Sequence, residues 1–518
     1  MSIPRRRRVL TALALTGALT AAAVPAFADK GAGDPGSDKS DMERAERVAA
    51  VATLERAEAL LDGTSSEDPR GATMALRDVR MLRDSLPADL AARADEVLLR
   101  PPDEGGTWVK TCNTEVCVHH LQGADIGSGE YDVNDVLATV QDIRDKYVAA
   151  GYREPLPDGT TGGDAKFDVY LEDLGDQNLY GYCTSDDPKQ ASPETGWDLW
   201  AYCAFDDDFS AAQFPSNTPL ENMQVTAAHE YFHATQYAYD AFEDSWILEA
   251  TATWAEDELY DDVNDNYNYN GSGPIAHPTT PLDSDQNGSL FKYGAWTFFR
   301  YLTERFPAAQ GGIPTLVREL LESMDGSVGG PDRFSLQAVQ EVLGDHGTSL
   351  SAAFAGYSLA NRAPEAIYEE GADYPTAPAK SVTVSSKSKN PGAYTKTLDH
   401  LTSSTVRYRP SNLSASNWKL RLKLDLAPKA KGSAAAVTVV KKNGTRTLLG
   451  YAKLNAQGDA TVAAPFSSSS VAAVEVTLLN LSGRLNDCWD GDTPYSCYGG
   501  NPLDDNLRQS VDPVAYRP

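Results

Sequence analysis

From Asp41 to Leu61 (DMERAERVAAVATLERAEALL) apolar residues recur at helical spacing, Val48, Val51, Leu54 and Leu61 among them, and the stretch from Ala72 to Leu99 repeats the pattern. Residues three and four apart share one face of a helix, so both stretches predict amphipathic helices. Gly63 and Pro69 punctuate the turn between them, and Pro101 and Pro102 close the second. Far along the chain the period changes to two. In WKLRLKLDLA the residues Trp418, Leu420, Leu422, Leu424 and Leu426 alternate with polar ones, which predicts a strand with one buried face. AAVTVVKKNGTRTLLGYAKL carries Asn443-Gly444 at a hairpin tip, and VAAVEVTLLNLS supplies a further strand. An all-β sandwich of about 140 residues follows from this patterning. Between these ends the two periods mix. Strands are expected at VCVHHLQ, at KFDVYLEDL and around LWAYCAFDDDF, and helices at 134–149, 220–240, 245–260 and 291–305.

The predicted fold class is therefore α+β, in three parts. Residues 29–105 form a helical N-terminal segment, 106–375 a mixed core, and 376–518 the sandwich. A chain of 518 residues is too long for one hydrophobic core, in keeping with this division. The N-terminal helices read equally as a removable propeptide or a permanent brace.

Residues 1–28 follow a different rule. Arg5 to Arg8 precede an alanine- and leucine-rich run that closes on Ala26-Phe27-Ala28, the layout of a secretory signal peptide cut before Asp29. No later stretch approaches the roughly 20 apolar residues of a membrane span. A secreted, extracellular protein is expected. Losing the four arginines takes the net charge from −29 to about −33, a surface that repels nucleic acid. The six cysteines fall into local pairs, Cys112 with Cys117, Cys183 with Cys203, and Cys488 with Cys497. Outside the cytosol such pairs favour disulfides over a thiolate metal site, although other pairings stay open.

Candidate chemistry sits in AAHEYFHATQYAYD (227–240) and DSWILEATATWAEDELY (244–260). His229 and His233 are four apart, so on a helix both imidazoles point at one ion, with Glu230 beside them. A catalytic zinc takes three protein ligands and keeps one position open. Glu249 can supply the third, because 15 residues separate it from His233, enough to end one helix, turn and return antiparallel. Ala250 and Ala252 let the second helix approach closely. Glu256, two turns beyond Glu249, either orients a ligand histidine or lies with Glu258 on a solvated face. His119, His120, His277, His346 and His400 have no partner at metal spacing and read as structural.

These residues resemble the gluzincin branch of zinc metallopeptidases, in which His-Glu-x-x-His is followed on the next helix by a tryptophan and then Glu-Gly/Ala-x-Ala with a further acid downstream. Trp246, Glu249, Ala250, Ala252 and Glu256 match that pattern. Asp168 to Leu171 (DVYL) and Tyr293 to Leu302 (YGAWTFFRYL) resemble secreted bacterial metalloproteases of this type, over roughly residues 106–370. The resemblance implies a zincin-like core, Zn2+ as cofactor, a protein or peptide substrate, and Glu230 as general base to a metal-activated water. It also implies a tyrosine near the start of the later helix as oxyanion donor. Tyr293 is the candidate, and a place in the core is the other reading of it. A non-catalytic protein binding cell-envelope or matrix material on the same scaffold is the alternative function. DSDQNG at 283–288 mimics the start of a calcium loop through Asp283, Asp285, Asn287 and Gly288. Its twelfth position is Gly294 rather than glutamate, which favours a plain surface turn.

Overall fold

The computed structural model describes residues 35–101, 106–286, 288–486 and 500–518. The expected signal peptide, the Cys488–Cys497 pair and Asn287 lie outside the described residues.

The N-terminal segment forms three helices rather than two: α1 (Pro35–Leu61), α2 (Ala72–Leu82) and α3 (Ala88–Leu98). The expected helix over 72–99 divides because Pro87, extended and without an N–H to continue the ladder, stands directly before α3. The buried stripe of α1 is Ala50, Leu54, Ala57 and Leu60, whereas Val48, expected on that face, is 64% exposed. Small alanines carry the stripe and bring α1 close to its neighbours.

Five strands make the central sheet: β1 (Trp108–Cys112), β2 (Val116–Leu121), β3 (Phe167–Glu172), β4 (Gly181–Thr184) and β5 (Tyr202–Asp206). Their order is β1-β2-β3-β5-β4, with β2, β3 and β5 parallel and the two outer strands antiparallel to their neighbours. One face packs Val118, Val169, Leu171 and Phe205 against α4 (Val133–Ala150) and α5 (Pro219–Tyr237). The other face presents Tyr170, Tyr182, Tyr202 and Ala204 to the N-terminal helices. Burial on both faces explains why the inner strands read as near-continuous apolar runs.

Thr218 and Glu221 close a capping box at the start of α5, with Pro219 at its first turn. Helix α6 (Ser245–Leu259) returns along α5, burying Trp246, Ala250, Ala252 and Trp254. The expected helix at 291–305 is broken at Ala295 into α7 (Phe291–Gly294) and α8 (Trp296–Arg305). Gly294 lies against the backbone of Gly273 with no room for a Cβ, which fixes the neighbouring Tyr293 in place.

The C-terminal region is a two-sheet sandwich. One sheet has five strands, with 433–441 and 471–480 at its centre, and the other has four, including Lys419–Asp425. Leu420, Leu422 and Leu424 are buried between the sheets, and the hairpin turns at Asn443-Gly444 as expected, Gly444 at φ +85°. Glu475 is buried under Arg362, Arg407 and Arg446, tying the sandwich to the end of the core. Among the described residues no helix is long and apolar enough to cross a membrane.

Candidate metal centre

Helices α5 and α6 lie antiparallel, so late residues of one meet early residues of the other. His229 Nε2 and His233 Nε2 are 3.0 Å apart, and Glu249 Oε2 lies 3.2 Å from the first and 3.4 Å from the second. Donors at about 2.0–2.1 Å from one tetrahedral ion stand about 3.3 Å apart, so this triangle fits a zinc-sized cation. Two imidazole lone pairs and a carboxylate converging this closely in a buried place repel one another unless positive charge sits among them. Burial disfavours a charged imidazole at His229, yet Glu249 and Glu256 outweigh it and raise His229 well above the ordinary histidine value. Burial likewise opposes charge on Glu249, and the two histidines hold its carboxyl far below the usual range. The donor set and its charges fit a bound cation.

The outer ring nitrogens fix which lone pairs face inward. His229 Nδ1 donates to Glu256 Oε1 at 2.6 Å, so Glu256 holds the His229 ring and does not lie on a solvated face. Its carboxyl is pushed up to about 7 by burial, with His229 pulling the other way. Glu258 is not solvated either; it pairs with Arg300 at 2.7 Å. His233 Nδ1 donates to Gln236 Oε1 at 2.7 Å, and the Gln236 amide in turn donates to the Leu248 carbonyl and Thr251 Oγ1 on α6. Gln236 was not expected from the sequence, although its place three residues beyond His233 on the same helix is a usable signal.

Glu230 points into the same cleft, and burial raises its carboxyl above the ordinary value against the pull of both histidines. Tyr293 takes the core place that was one of its two expected readings. Its hydroxyl lies 2.9 Å from Glu249 Oε1. Cys183 and Cys203 are joined across β4 and β5, with their sulfurs 2.9 and 3.4 Å from the Glu230 carbonyl oxygen, so this disulfide braces the floor under the motif helix. Cys112 and Cys117 are also joined.

The possible calcium loop has other partners. Asp283 meets His400 at 2.9 Å, and Asp285 meets Lys292 at 3.2 Å. His119 is held by Asp168 at 2.7 Å. Three further groupings of candidate ligands occur among the described residues. In one the cysteines are the Cys112–Cys117 disulfide, and in another Asp206 is occupied by the backbone amides of Leu174, Gly175 and Phe209.

No protein-family model matches the chain, and no curated protein matches it.

Proposed function

We propose that the protein is a zinc-dependent peptidase acting outside the cytosol. The observation that carries this reading is the 3.0–3.4 Å triangle of His229, His233 and Glu249 donors with the buried carboxylate of Glu230 adjoining it on α5. His229 Nε2, His233 Nε2 and Glu249 Oε2 would hold the ion. Zinc, when bound in such a set, supplies Lewis acidity that brings the pKa of a water to about 7 and polarises a carbonyl.

The remaining work falls to side chains of this chain. Glu230 takes the proton of the attacking water and returns it to the departing amine nitrogen; its raised pKa makes it a better base near neutrality. Tyr293 presents a hydroxyl proton at the cleft for the oxygen of the scissile carbonyl. Glu256 and Gln236 keep the ligand imidazoles in one tautomer and one orientation. The outer strand β4 borders the cleft and offers backbone groups to an extended peptide. The two disulfides support export.

The decisive variant is Glu230→Gln. It should keep one zinc per chain by elemental analysis and lose about 100- to 10,000-fold of its turnover in a peptide-library digest, because an amide cannot accept the water's proton. Undiminished turnover would remove Glu230 from the role of base.

A further inference from the structure

The cleft beside the metal centre is filled by the protein's own N-terminal segment. Thr73, the second residue of α2, donates its hydroxyl to Glu230 Oε2 at 3.1 Å. The same Thr73 oxygen accepts the backbone N–H of Cys183, on the edge strand β4, at 3.0 Å. Three residues earlier, the carbonyl oxygen of Arg70 lies 2.7 Å from the Tyr293 hydroxyl. The base, the edge-strand amide and the candidate oxyanion donor are thus all engaged by residues 70–73. The space left among them is about 40 Å³, enough for a few waters at most and far too little for a peptide.

Arg70 is held as a recognised side chain is held. Its guanidinium lies 5.6 Å from the ring centroid of Tyr180 and 5.5 Å from that of Tyr269, within cation–π range of both. The cleft also carries the buried carboxylates Asp265 and Glu256. Burial raises the Asp265 carboxyl, and the charge of Arg70 is the largest influence pulling it back. Arg70 is the one lysine or arginine among the described residues lining the cleft. Within the segment Asp68 pairs with it at 3.1 Å. The rings and the two cleft carboxylates belong to the core, while the cation is brought by the segment.

We propose that Asp68–Thr73 is a pseudosubstrate, occupying the peptide cleft in cis, and that the cage of Tyr180, Tyr269 and Asp265 is the subsite for an arginine or lysine side chain of the true substrate. This rests on the peptidase reading, and it accounts for the cleft's closed state. The N-terminal helices bury Leu54, Leu76 and Val79 against Tyr170, Tyr182 and Tyr202 of the sheet, which holds the stretch at high local concentration. Full activity then requires this stretch to be lifted away or cut, and the wild type keeps only a basal turnover.

The test uses the full-length, zinc-loaded chain, an Arg70→Ala/Thr73→Ala double variant, and that double variant with Asp265→Asn added. Short quenched-fluorescence peptides carrying arginine, lysine, leucine or glutamate at the centre serve as probes. Their turnover is measured in each protein, and their binding is measured in the Glu230→Gln background. The double variant should bind and cleave the arginine and lysine peptides at least about 10-fold better than wild type, and favour them over the other two by a similar factor. Asp265→Asn should abolish that preference. Selective binding without turnover in any variant would refute the peptidase reading and leave Asp68–Thr73 as the cis occupant of a site for a cationic side chain. No gain on opening the cleft, or equal binding of all four peptides, overturns the pseudosubstrate. Should the double variant not fold, the single Arg70→Ala, whose side chain lies outside the hydrophobic cluster of the helices, is titrated with methylguanidinium. Binding to this variant and not to wild type supports the cage, and identical behaviour overturns it.

Discussion

Glu256 receives the Nδ1 proton of His229 at 2.6 Å, and this one hydrogen bond leaves Glu249 as the glutamate of α6 that faces the inner Nε2 atoms of both histidines. Glu249 and Glu256 are seven residues, about 10 Å, apart on the same helical face, so both cannot reach one metal. Glu249 meets both Nε2 atoms, while Glu256 meets only the far side of one ring. Glu249→Ala should therefore lose zinc outright. Glu256→Gln, which can still accept from Nδ1, should keep it with affinity or activity down about 10- to 100-fold. Zinc content after identical dialysis checks the pair, and the opposite pattern would exchange the two roles.

Gln236 does for His233 what Glu256 does for His229, without a charge. Its amide also bridges to α6 at 2.9 Å on each of two oxygens, Leu248 O and Thr251 Oγ1. Gln236→Leu should fill similar space yet leave the buried His233 Nδ1 without its acceptor. A stability loss of about 1–3 kcal/mol is expected from that unsatisfied group, with zinc affinity falling about 10-fold or more. Chemical denaturation of the metal-free protein separates the first effect from the second, and a variant unchanged in both measurements would show that Gln236 does not position His233.

What could be read from the sequence here is what is local in the chain. His229, Glu230 and His233 share a helix face by spacing alone, and the 15-residue return to Glu249 needed only one turn between two helices. The division of labour between Glu249 and Glu256 follows from the same periodicity. The edge strand β4 was not legible, because four residues beginning with a glycine carry too little pattern to register. Pro87 was visible, but the apolar period runs through it, and one helix was expected where two form. The contact of Thr73 with Glu230 spans 157 residues, and neither position announces the other. Whether the N-terminal helices cover the site is a question of tertiary packing, which periodicity does not reach.

The tie between the core and the sandwich offers a test by pH. His400 is fully buried between Asp283, at 2.9 Å from its Nε2, and Asp505, at 2.7 Å from its Nδ1. Burial alone would lower its pKa, but the two carboxylates more than offset this and raise it from 6.5 to about 10. A group whose folded pKa is raised stabilises fully below its unfolded value and loses that contribution as pH climbs through the folded one. The stabilisation should thus be complete near pH 6 and fade between 6.5 and about 10. Asp505 acts in the opposite sense. Burial would raise its carboxyl, but His400 holds it below the usual range, so its share is present above about pH 4 and lost in stronger acid. His400→Gln removes the positive charge between the buried carboxylate of Asp283 and the half-buried one of Asp505, and removing one partner of a buried pair costs about 3–5 kcal/mol. Thermal unfolding of wild type and variant in parallel should show the largest gap between about pH 4 and 6.5, narrowing steadily towards pH 10. A gap that stays constant from pH 5 to 10 would mean that His400 is neutral in the folded protein and adds no charge to the tie between the two parts.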